Sequence, residues 1–175
     1  MHTGDWLAVT NAQALRFFFE RLKDVTDDDE PPMQELLYNA SVLAHFATTS
    51  TASTPTFPST PADLTMMFDL FVLDRSQHSD PEIMEAAASQ CLLLTGFFGD
   101  QMKGRHNITW YAMLGAGFYD SAAQHGTDRT RARMMIAMAS RFDFWRRQQH
   151  RLAKELREVN LLIPGSPIDP WTSPG

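Results

Sequence analysis

Hydrophobic residues along this chain recur three and four positions apart, the spacing that builds amphipathic helices. Ala12, Leu15, Phe18, Phe19, Leu22 and Val25 form a first stripe, which predicts a helix opening at Thr10 or Asn11. Phe17 lies off that stripe and is free to meet a neighbour. The acidic run Asp27-Asp28-Asp29-Glu30 reads as a solvated link, and Pro31-Pro32 opens a second helix, where a missing amide costs nothing. Leu36, Leu37, Ala40, Leu43, Ala44 and Ala47 make its buried face. A short third helix follows from Leu64, Met67, Phe68, Phe71 and Val72.

Asp80-Pro81-Glu82 is a strong helix start, with a capping carboxylate, a first-turn proline and a further acid. The fourth helix runs on through Met84, Ala87, Cys91 and Leu94 towards Phe98, with Gly99 or Gly104 to end it. Asn107 caps a fifth, from Ile108 to Gln124, closed by Gly126. The sixth and longest begins near Asp128. In it Met135, Met138, Phe142, Trp145, Gln149, Leu152, Leu156 and Val159 alternate three and four apart. That is a seven-residue repeat, the seam of a helix packed lengthwise, with room for a break between Ser140 and Asp143.

No strand-like alternation is present. The pattern predicts an all-α, single-domain bundle of about six helices over residues 1–160, with a long C-terminal helix. The stretch from Cys91 to Ala123 is the densest apolar run, read as a central antiparallel hairpin of the fourth and fifth helices with Leu94 and Met113 buried inside it. Residues 48–61 are rich in Thr, Ser and Pro and read as a mobile loop. Residues 161–175 read as an extended Pro/Gly-rich tail.

Composition narrows the class. At 175 residues one domain suffices, and 43% hydrophobic with 21% charged residues is ordinary for a folded protein. No window is long and apolar enough for a membrane helix, and MHTGDWLAV lacks the features of a signal peptide. The lone cysteine, Cys91, excludes an internal disulfide, and a cytoplasmic setting is expected. The net charge of −6 is unevenly spread. Residues 1–127 carry 6 basic and 16 acidic side chains, and residues 128–158 carry 9 basic and 4 acidic. Such a basic C-terminal helix is able to meet nucleic acid, although packing beside its own acidic body is the simpler reading.

Candidate chemistry is sparse. His45, His78, His106, His125 and His150 have no partner at metal-ligand spacing, so neither a metal nor a cofactor is expected. No phosphate-cradling loop, dinucleotide fingerprint or nucleophile elbow occurs, and Cys91 lies in an apolar run that keeps a thiol protonated. Gly115 and Gly117 stand out, since a glycine inside a helix costs about 1 kcal/mol against alanine. Close approach of a neighbouring helix is one cause. The other is a pocket beside Trp110, Tyr111, Gly115 and Tyr119 for a small ligand, with Arg105, His106, Arg129 and Arg133 as an anion site.

Gly96-Phe97-Phe98, Trp110-Tyr111, Met113-Leu114-Gly115 and Phe118-Tyr119 together resemble a family of uncharacterised helical bacterial proteins. That family's pattern is a GFF or GYF turn, a Tyr-Tyr pair, and a Met-Gly-x-x-Ala-Tyr segment before a Phe-rich helix; Trp110 and Leu114 depart from it. Ala14 to Phe19 and Leu36-Leu37 are similar too. The resemblance implies an all-helical fold and supplies no mechanism.

Two functional classes follow. The first is a non-enzymatic interaction or regulatory protein that binds a protein partner or itself. In that reading Phe142, Trp145, Gln149 and Leu152 form a homodimer interface, with Gln149 near the two-fold axis. The second is a small-ligand or anion-binding helical protein using the Gly115–Tyr119 region.

Overall fold

The computed structural model describes residues 3–51, 79–104 and 106–158, with side chains from residue 12 to 48 in the first of these. Among the described residues there are seven α-helices and no strand. They are α1 (Thr3–Val25), α2 (Met33–Thr51), α3 (Pro81–Thr95), α4 (Gly99–Met102), α5 (Ile108–His125), α6 (Arg129–Ser140) and α7 (Phe142–Glu158). A turn of 3-10 helix, Asp27–Asp29, links α1 to α2. The protein is a helical bundle. Its most extensive internal packing is between α3 and α5, the expected central hairpin, followed by α1 on α2 and α5 on α6.

Helix starts follow the capping chemistry in the sequence. Asp80 accepts hydrogen bonds from the amides of Glu82 and Ile83, Asn107 from Trp110, and Asp128 from Thr130 and Arg131. Each satisfies amides that a first turn leaves without partners. Helix ends depart more from expectation. α1 begins at Thr3, ahead of Thr10, and α2 continues to Thr51 into the Thr/Pro-rich stretch. The rest of that stretch, the expected third helix, Val159 and residues 161–175 lie outside the described residues.

α3 stops at Thr95 rather than at Gly99 or Gly104, and the Gly96 amide donates to the Leu92 carbonyl. A methyl at Gly96 would lie 2.9 Å from the Arg146 carbonyl oxygen and 3.0 Å from Gln149 Cβ. The last helix therefore crosses α3 where the chain has no side chain. Gly99 instead opens the single turn α4, and Gly104 turns the chain towards α5 with φ +85°.

The long C-terminal helix is two helices, broken at Arg141 (φ −111°, ψ 22°). Its seam points inward. Met135, Met138, Phe142, Trp145, Gln149 and Leu152 are all buried in the monomer, so the expected homodimer interface of Phe142, Trp145, Gln149 and Leu152 is corrected: these residues are core. α7 packs on α1 and α3, and its polar member finds a partner at home. Gln149 Nε2 donates to Asn39 Oδ1 at 3.0 Å, and Asn39 Nδ2 donates to the Glu35 carbonyl at 2.9 Å.

Leu37, expected on the buried face of α2, is 48% exposed and Met113 is 69% exposed, and Ala12 of the first stripe is exposed as well. Leu37 and Met113 sit a fraction of a turn off the buried stripes of their helices, where Leu36 on α2 at 3% exposure and Tyr111 on α5 at 5% take the inner positions.

Gly115 faces inward, and a methyl built there would lie 2.6 Å from Cys91 Cβ and closer still to the Phe142 ring. We expect Gly115→Ala to destabilise the protein by about 1–3 kcal/mol, because overpacking outweighs the gain of about 1 kcal/mol in helix propensity. Urea unfolding gives the sign directly: a raised midpoint would show that the ring moves aside freely.

Candidate functional site

The two glycines of α5 divide the helix into two faces. Tyr111, Gly115, Phe118, Tyr119 and Ala122 are buried, with Gly115 against Cys91 of α3 and Phe142 of α7. Trp110, Met113 and Gly117 look outward, with Trp110 41% exposed. Apart from the adjoining residues and the backbone of its own helix, no heavy atom lies within 4 Å of a methyl built at Gly117. A shallow depression of about 310 Å³ surrounds it, lined by Trp110, Met113, Leu114, Phe118 and Ser121.

This geometry corrects the expected ligand pocket. Tyr111, Gly115 and Tyr119 are on the inner face, where the Phe142 ring occupies the space at Gly115, while Trp110 is on the outer one. The anion site is not assembled either. Arg129 and Arg133 begin α6, beside the C-terminus of α5, whereas His106 precedes its N-terminus. The 18 residues of α5 span about 27 Å at 1.5 Å per residue, a distance no side chain bridges. Arg105 lies outside the described residues.

Sequence reasoning missed a polar cluster that the fold assembles from four helices, α2, α3, α5 and α6. Arg131 forms a two-pronged ion pair with Glu85, its Nε donating to Oε1 at 2.9 Å and its Nη2 meeting Oε2. Tyr38 Oη lies 3.1 Å from Glu85 Oε2 and 3.1 Å from Tyr119 Oη. A carboxylate only accepts, so the single Tyr38 proton goes to Glu85 and the Tyr119 hydroxyl donates to the Tyr38 oxygen. Burial pushes the Tyr38 phenol well above its usual range, reinforced by Tyr119 and Glu85, and burial likewise raises Tyr119. Both hydroxyls stay protonated. The cluster opens into a groove of about 640 Å³ between α2 and α3, whose walls include Val42, Ser41, Glu82 and Ser89. Only its separate members were visible in the sequence, 47 and 81 positions apart from Tyr38.

The direction of the hydrogen-bond chain sets an order of mutational effects. Tyr119→Phe removes one bond and should cost about 0.5–1.5 kcal/mol. Tyr38→Phe strands the fully buried Tyr119 hydroxyl and should cost more, about 1–3 kcal/mol. Chemical denaturation of both variants checks the ranking, and the reverse order would mean that the protons run the other way.

Two further polar clusters tie elements together. Glu35, only 6% exposed, accepts from the Trp145 indole at 2.9 Å, and Arg141 Nε lies 2.8 Å from the same oxygen without the alignment of a hydrogen bond. On the surface Asp100 Oδ1 meets His150 Nε2 at 2.8 Å and Oδ2 meets Arg157 at 2.5 Å, which ties α4 to α7. The hydrogen bond from His150, then that from Arg157, holds the Asp100 carboxyl below the usual range. Burial raises the Cys91 thiol, which favours its unreactive form. Among the described residues no cluster of three or more His, Cys, Asp or Glu side chains is placed to hold a metal, and no helix is long and apolar enough to cross a membrane.

No protein-family model, curated protein or solved structure matches this chain. The local geometry therefore carries the functional reading by itself.

Proposed function

We propose that this chain is a non-enzymatic helical interaction protein, and that it meets its partner through the outer face of α5. One observation carries the reading. Gly117 accepts the helical penalty of a glycine with no neighbour of its own fold near it, while Trp110 and Met113 beside it stand exposed. Gly115, two residues earlier, accepts the same penalty and is filled by Phe142. A glycine in open space between large exposed apolar side chains fits close approach by another molecule. The cytoplasmic setting and the kinship with uncharacterised helical bacterial proteins belong to this proposal. Nucleic acid is the weaker partner, because Arg141, Arg146, Arg147 and Arg157 are paired with the chain's own carboxylates.

A photo-reactive amino acid placed at position 113 in the producing cell tests the reading, with position 136 as a control on exposed α6 surface. The expected result is a discrete cross-linked adduct from 113 and none from 136. No adduct at 113 overturns it.

A second reading rests on the groove between α2 and α3, whose 640 Å³ falls in the range of small-molecule sites, about 300–1,000 Å³. In that case a small ligand would raise the melting temperature, and blocking Val42→Trp would abolish the rise.

A further inference from the structure

We infer that the partner on the α5 face is a second copy of this chain, docked as an antiparallel pair of α5 helices about a two-fold axis level with Gly115. The inference rests on the interaction reading above and names its partner. Trp110, Met113, Gly117, Asp120 and Gln124 are all exposed and follow one another three, four, three and four residues apart. That is the spacing of a helix-pairing row, here on the outside of the bundle.

The row is complementary to itself when turned end for end. Position 113 then meets 117, and position 110 meets 120. Met113 of each copy enters the space above the other's Gly117, where nothing beyond the helix's own adjoining backbone and neighbours lies within 4 Å of a built Cβ. The thioether is flexible enough to fill such a shallow site. The Trp110 indole, a donor only, meets Asp120, a carboxylate that only accepts.

A parallel pair would do the opposite. It would set Asp120 against Asp120, Met113 against Met113 and Gly117 against Gly117, leaving the space empty and two like charges together. The antiparallel arrangement also makes the interface isologous, so it closes at two copies. One helix width is a small contact, and a weak dimer in the micromolar range is expected.

Sedimentation of the full chain between about 5 and 500 µM should show a monomer passing to a dimer. Gly117→Ala should weaken that dimer about tenfold, because the methyl excludes Met113, while raising the melting temperature of the dilute monomer. Oxidation of the Met113→Cys/Gly117→Cys double variant should give a covalent dimer, and neither single variant should, since 113 and its own copy lie beyond the roughly 7 Å Cα reach of a disulfide. A single monomeric species at the highest concentration overturns the second copy as partner. A dimer that neither responds to Gly117→Ala nor cross-links in the double variant overturns this register. The position-113 photo-adduct separates the two levels. A mass of two chains supports the inference, and a different mass with a monomer in sedimentation overturns it while leaving the α5 face as the interaction surface. No adduct overturns both.

Discussion

Trp145→Ala should be the most damaging single substitution in this protein. The side chain is fully buried, and truncating a buried tryptophan costs about 3–5 kcal/mol through lost burial and the cavity left behind. Its indole also donates to Glu35 Oε1 at 2.9 Å, and Glu35 is itself buried. Removing a donor from a buried carboxylate adds about 1–3 kcal/mol. The sum approaches the whole stability of an ordinary domain, about 5–15 kcal/mol, so loss of cooperative unfolding is an expected outcome. Trp145→Phe separates the two contributions, since it keeps much of the ring and deletes the N–H. Urea midpoints of the two variants measure each part. A Phe variant as stable as the parent would remove the Glu35 bond from the account, and an Ala variant as stable would remove Trp145 from the core.

Leu94→Ala is expected to rank second, at about 2–5 kcal/mol. Leu94 is fully buried on α3, the inner helix of the central hairpin, and nothing near it is solvent that could absorb the loss. Leu37 supplies the contrast on α2. It is a leucine on an equally good sequence stripe, yet it stands half in water, so Leu37→Ala should stay within about 0.5 kcal/mol of the parent. Thermal melts of the pair check the claim, and equal shifts would show that exposure does not separate them.

That contrast marks how far the sequence could be read. Caps were legible where a carboxylate or amide side chain lies within three residues of the amides it serves: Asp80 and Asn107 act as expected, and Asp128 caps the helix expected to begin near it. The all-helical class and the central hairpin were legible because apolar spacing over many residues averages out single exceptions. What a stripe does not reveal is which body covers it. The row from Met135 to Leu152 demanded burial, and the choice between a second copy and the chain's own α1 and α3 depends on Gln149 reaching Asn39, 110 positions away. The outer α5 row was hidden for the opposite reason. Only Trp110 and Met113 in it are apolar, and the buried Tyr111, Phe118 and Tyr119 beside them dominate the pattern. The Glu85–Arg131–Tyr38 cluster left no local signal, since its members lie on three helices far apart in sequence.

The bonds from Trp145 to Glu35 and from Gln149 to Asn39 each join residues 110 positions apart. Synthesis at about 5–20 residues per second puts roughly 5–20 s between the appearance of the two ends. During that interval α1 and α2 have left the ribosome without the helix that completes their interior. A nascent chain stalled before Phe142 should hold Glu35 and Asn39 in water and stay sensitive to protease. Emergence of α7 then closes the bundle in one step, so the order of manufacture gives this protein a nearly all-or-none moment of folding.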